Sequence, residues 1–131
     1  MRTRYRIRAR GAWLIGCLAI ASLHCGDDGT EADELGVGAQ CVSSDGCLEG
    51  QTCLSFKGGY CGVRGCMSDA DCPEASACVS HDDGVNYCFR LCVDKSECNV
   101  NREPDNEANC SSNVTFADGK RSAKACVPPS G

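Results

Sequence analysis

Between residues 41 and 126 the cysteines repeat as C-x5-C-x5-C-x7-C, then x4, C-x5-C-x5-C-x9-C, then x3, C-x5-C-x11-C-x15-C. The first unit is Cys41, Cys47, Cys53 and Cys61; the second is Cys66, Cys72, Cys78 and Cys88. The third, Cys92, Cys98, Cys110 and Cys126, keeps the opening spacer and lengthens the later ones. A period of about 25 residues marks one supersecondary unit written three times. "CVSSDGC", "CMSDADC" and "CVDKSEC" each open on an apolar residue (Val42, Met67, Val93) and continue with small or acidic ones. "CLEGQTC" and "CPEASAC" place Glu49 and Glu74 at one offset.

Covalent staples are needed because the chain has little else to fold around. From Cys25 onward there are 4 Leu, 9 Val, 3 Phe and no Ile in 107 residues. That share lies below the roughly 20% at which a core of side chains alone becomes feasible. Six bridges at ~2–4 kcal/mol each can make up the difference. Each unit holds four cysteines and the connectors "GVRG" (62–65) and "FRL" (89–91) are short, so pairing is expected within units. First-to-third with second-to-fourth is one such arrangement around a hairpin; the spacing leaves the order inside a unit open.

Turn residues sit between the third and fourth cysteines of every unit. Asp83-Gly84 and Asp118-Gly119 favour hairpins because tight turns need positive φ, and Gly58-Gly59 serves the same geometry. Tyr60 and Tyr87 precede the closing cysteines, where a ring can shield a disulfide from water. No window keeps apolar residues at helical spacing, and glycine recurs. The expected fold is small and disulfide-rich, mostly loops with short β-hairpins. It is expected to be an extended string of tandem mini-modules over 41–61, 66–88 and 92–126, with no large hydrophobic core and a C-terminal tail at 127–131.

The N-terminus has a different composition. Residues 1–24 hold five arginines and no acid, and "AWLIGCLAIASL" is a 12-residue apolar stretch. Twelve residues is short for a membrane span and suits the h-region of an export signal. Three processing sites compete: after Ala21, before Cys17 in "LIGC", and before Cys25 in "SLHC". Cleavage before Cys25 keeps a full h-region, although "SLHC" departs from a lipobox at Ser22 and His24. Acylation of Cys25 also leaves an even twelve cysteines, whereas either alternative leaves a thiol over in an oxidising compartment. Residues 25–40 read as a flexible acidic tether, with five acids and four glycines in 26–40.

"CGDDG" after a short apolar stretch resembles the lipidated start of lipoproteins from myxobacteria and related delta-proteobacteria. "C-x2-S-D-x-D-C-P-E-x3-C" (66–78) resembles cysteine-rich repeats in exported proteins of myxobacteria and, more distantly, the first cysteine-rich region of Dickkopf-type secreted proteins. The likeness covers about 60 residues, mainly the first two units, and the stretched third unit departs from it. It implies a surface stalk or interaction module and carries over no catalytic residue.

Other chemistry is weakly signalled. Zinc would need closer cysteine pairs than the x3 and x4 gaps here, and export favours oxidation. Asp69 and Asp71, or Asp82 and Asp83 beside His81, offer hard oxygens for Ca²⁺, yet no full loop signature is present and a solvated acidic loop is the plainer reading. His81 reads as an exposed loop histidine with no nucleophile elbow. Asn113 in "NVT" matches a glycosylation sequon, which matters only in a eukaryotic source. Residues from Cys25 onward carry eight basic against eighteen acidic side chains, a balance that repels nucleic acid. The expected function is that of a non-catalytic lipoprotein without a cofactor. It is tethered to the cell envelope, at the outer membrane, through acylated Cys25, and contacts a protein partner in adhesion, envelope assembly or surface motility. The alternative is a freely secreted disulfide-rich ligand or inhibitor.

Overall fold

In each unit the third and fourth cysteines face one another across an antiparallel strand pair. A computed structural model describes residues 36–130. Strands β1 (Thr52–Leu54) and β2 (Tyr60–Gly62) set Cys53 opposite Cys61. Strands β3 (Ser76–Ser80) and β4 (Asn86–Cys92) set Cys78 opposite Cys88. The third unit contributes α1 (Lys95–Cys98), β5 (Asn109–Ser111), β6 (Thr115–Phe116) and β7 (Lys124–Val127), with Cys110 opposite Cys126 on β5 and β7.

Directly opposed residues project to the same face of a sheet. Each hairpin therefore offers two sulfurs side by side, and the preceding loop folds across them. The bridges are Cys41–Cys53, Cys47–Cys61, Cys66–Cys78, Cys72–Cys88, Cys92–Cys110 and Cys98–Cys126. All run first to third and second to fourth within a unit.

The clasping loops share their chemistry. A single turn of 3-10 helix spans Ser44–Gly46 in the first and Asp69–Asp71 in the second, and α1 takes that place in the third. The residue three past the first cysteine accepts the N–H of the third: Ser44 Oγ from Cys53 and Asp69 Oδ1 from Cys78. In the second and third units the acid before the second cysteine accepts the N–H of the exposed apolar residue, Asp71 from Met67 and Glu97 from Val93.

The units do not form an extended string. Strands β5-β7-β4-β3-β6 make one five-stranded sheet from the second and third units. Beyond β2 the first unit continues alongside β4, where Arg64 bridges Tyr87 and Cys88 donates to the Val63 carbonyl at 2.9 Å. One core draws on all three: Leu54 and Tyr60; Ala77, Val79, Tyr87 and Phe89; Phe116 and Ala125. The expectation of separate modules without a common core fails because strand alternation gives every hairpin an apolar face as well as a cystine face. Tyr60, Tyr87 and Phe89 lie on the apolar one, so the tyrosines fill the core and do not cover disulfides.

Three further expectations change. The extra length of the third unit is used by β6, which crosses to the far edge of the sheet and pairs with β3 at Val79 and Ser80. Asp118-Gly119 is a turn, as Gly119 N–H to Phe116 O shows, but β6 and β7 on either side do not pair with each other. The proposed tether ends early: residues 36–39 are buried, with Val37 in the core and Gly38 and Ala39 hydrogen-bonded to Cys61. The tail is also held, since Val127 ends β7, Pro128 is buried and Lys57 N–H donates to the Pro129 carbonyl.

Arg102 locks the first unit to the third. The residue is 8% exposed, and its guanidinium donates to the carbonyls of Gly38, Gly59, Lys57 and Asn106, with its carbon 5.7 Å from the Tyr60 ring centroid. Four carbonyls in a fork suit the five donors of arginine and not the point charge of lysine.

Candidate functional site

The first hairpin and the β3–β4 turn leave a cleft of about 430 Å³ between them. Thr52, Cys53, Leu54, Ser55 and Phe56 form one wall, and Arg64, Asp83 and Tyr87 the other. Phe56 follows β1 on the chain reversal that Gly58 and Gly59 close. Its ring lies edge-on to Tyr87 at 5.2 Å and to His81 at 5.3 Å. Tyr87 and Phe89, two residues apart on β4, stack at 5.8 Å.

The polar side of the cleft is a chain of contacts. Asp83 Oδ1 accepts Val85 N–H at 2.9 Å and faces His81 Nδ1 at 3.3 Å, while Oδ2 accepts the Tyr87 hydroxyl at 2.8 Å. The Val85 N–H, then the Tyr87 hydroxyl, hold the Asp83 carboxyl below the usual carboxylate range. Burial, then the Asp83 contact, pushes the Tyr87 phenol up, and the Arg64 charge acts in the opposite direction. Gly84, at φ +80°, takes the turn conformation that lets Asp83 reach back to Val85.

The residues expected to carry chemistry fall as follows. Cys25 lies outside the described residues, as do Cys17 and Ala21. His81 is not an exposed loop histidine: its side chain is 17% exposed and its ring meets Phe56, Tyr87 and Phe89 edge-on. Asp69 and Asp71 are tied internally. Asp71 Oδ2 accepts the N–H groups of Met67 and Ser68, which lower its pKa. Asp69 pairs with Arg121 and accepts Cys78 N–H, and its own N–H donates to Asp118. The acids thus shape loops. Asn113 is exposed just before β6. The sulfurs of Cys41, Cys47 and Cys61, of Cys66, Cys72 and Cys88, and of Cys92, Cys98 and Cys126 lie within 4.8 Å of one another in each group. Each belongs to a disulfide, which has no thiolate to give a metal.

Sequence reasoning passed over Arg64 as part of a connector and did not single out Phe56. The short "GVRG" link was itself the signal: a connector between two clamped hairpins must bring them side by side. No family model, curated protein or solved structure matches this chain. Among the described residues no helix is long and apolar enough to cross a membrane.

Proposed function

We propose that this protein is a bacterial envelope lipoprotein, tethered by acyl chains on Cys25, whose disulfide-clamped domain makes non-catalytic protein contacts. The observation that carries the reading is a repeated one. Val42, Met67 and Val93, each directly after the first cysteine of its unit, are all strongly exposed. A single exposed apolar residue is ordinary; the same exposed position in three units is a pattern. The clasping loops of the second and third units cover the cystine face of the five-stranded sheet, and the first unit packs on the opposite, apolar face. Met67 and Val93 thus lie on one side of the domain and Val42 on the other, which suits contact with partners on two faces. Six intra-unit bridges keep such loops in shape outside the cell, where disulfides persist.

The anchor is tested by the intact mass of the mature protein from its native cell and by detergent partitioning. A protein beginning at Cys25, heavier by its acyl chains and entering the detergent phase, supports the tether. A lipid-free protein beginning at Ser22 that stays in water supports the freely secreted ligand or inhibitor. The contact role is tested by photo-crosslinking side chains placed at positions 42, 67 and 93 in living cells. Protein adducts at these positions and not at exposed Gly65 support it; none at any of the three rejects it.

A further inference from the structure

We propose that the cleft between β1 and the β3–β4 turn binds a small organic carboxylate that carries an apolar group, with Arg64 as the residue that recognises the anion. The inference is independent of the tether and of the exposed apolar residues.

The walls differ in what they have left to offer. Asp83 lines the cleft, but its oxygens already serve Val85, Tyr87 and His81. It therefore has little capacity for a cationic ligand. Arg64 is exposed and lines the cleft, and its guanidinium carries five donors. Asp83 holds the Tyr87 hydroxyl, so both stand fixed in the wall that Arg64 shares. Opposite it, Phe56 is half-buried and Leu54 lines the cleft with it, an apolar seat next to a cation. The exposed Ser55 and Thr52 can add hydrogen bonds at the rim.

Charge chooses among anions. The domain is strongly acidic, and Asp83 stands in the same wall as Arg64. A phosphate dianion meets that field twice over, whereas a carboxylate carries one charge and matches the guanidinium fork with two parallel bonds. The volume of about 430 Å³ lies in the range of small-ligand clefts, roughly 300–1,000 Å³. The carboxylate can be a free small acid or the C-terminus of a peptide ending in an apolar residue.

The test is an NMR titration of the oxidised full domain with N-acetyl-L-phenylalanine, with its amide, and with a five-residue peptide ending in phenylalanine with a free carboxylate. The expected result is shifts at Ser55, Phe56 and the Arg64 Nε–H with the acid, and at least tenfold weaker binding of the amide. Arg64→Gln is expected to weaken the acid at least tenfold, and Arg64→Lys by less, with the remaining amide spectrum unchanged as proof of folding. Tighter binding of the peptide than of the free acid identifies a peptide C-terminus as the source; equal or weaker binding identifies a small acid. The proposal is overturned if the acid and amide bind alike, if shifts fall away from the cleft, if Arg64→Gln leaves the affinity unchanged, or if none of the probes binds.

Discussion

The phenol of Tyr60 donates to the carbonyl of Cys126 at 3.0 Å, joining two residues 66 positions apart. The same oxygen accepts the N–H of Arg90 at 3.1 Å, so one side chain from the first unit ties to strands of the other two. Tyr60 is fully buried, and its ring meets Phe56 and Phe89 edge-on. Removing only the hydroxyl leaves a carbonyl and an N–H without their partner. Tyr60→Phe is expected to cost about 1–3 kcal/mol. Denaturant unfolding with disulfides intact checks this: the midpoint falls while the slope stays the same.

This hub was not legible in the sequence, whereas the clamps around it were. Cysteine spacing repeats because each clasp is local, closing loops of 12 to 28 residues in sequence separation. Tyr60 and Arg102 act across units, and no spacing rule reports a carbonyl presented by a distant strand. Low apolar content pointed to isolated modules, yet the few large side chains, Tyr60, Tyr87, Phe56, Phe89 and Phe116, all converge on one core. The Asp83-Gly84 hairpin was readable because its strands are neighbours in sequence. Strand β6 was not, because its partner β3 lies one unit away. Of the cleft, Cys53, Asp83 and Tyr87 drew notice in the sequence, and none for its place there.

Stability is expected to fall at both ends of the pH range. Burial pushes the Tyr60 phenol far above its ordinary value, and the Arg90 and Arg102 contacts oppose this only in part. A raised folded pKa gives stability that is complete below the unfolded value, about pH 10, and is lost progressively as pH climbs beyond it. Asp71 and Asp83 have lowered folded pKa values, so their contribution is present above about pH 4 and is lost as pH falls through the folded values. Unfolding midpoints across pH, taken by stopped flow on the alkaline side, check the shape. Tyr60→Phe is expected to flatten the alkaline limb; an unaltered limb refutes the assignment to this phenol.

Two glycines with nearly the same backbone are expected to respond differently. Gly59 and Gly84 have φ of +70° and +80°. A Cβ on Gly84 meets nothing within 4 Å, so Gly84→Ala bears only the left-handed backbone cost, ~1–2 kcal/mol. A Cβ on Gly59 falls 2.0 Å from the Cys41 carbonyl oxygen and 2.8 Å from the sulfurs of Cys41 and Cys53. Gly59→Ala is expected to block closure of that bridge. Alkylation of the unreduced protein reads the difference: two labelled thiols in Gly59→Ala and none in Gly84→Ala. Equal labelling of the two refutes the packing at Gly59.

The positions of the basic residues allow the bridges to be read by proteolysis. Arg90 lies within β4, between β3 and β7, so the native protein is expected to resist cleavage there by a protease specific for Lys and Arg. Denatured without reduction, the chain opens at every such site. No Lys or Arg lies between Arg64 and Arg90, so the second unit leaves as one peptide, residues 65–90, holding four cysteines closed on themselves. The third unit is cut at Lys95, Arg102, Lys120, Arg121 and Lys124, which places its four cysteines on four different peptides. Cys92–Cys110 then joins 91–95 to 103–120, and Cys98–Cys126 joins 96–102 to 125–131. Pairing Cys92 with Cys98 would join 91–95 to 96–102 instead, and pairing Cys92 with Cys126 would join 91–95 to 125–131. Any bridge between units would attach another peptide to 65–90. Masses before and after reduction separate these outcomes, and only the first set agrees with first-to-third and second-to-fourth pairing.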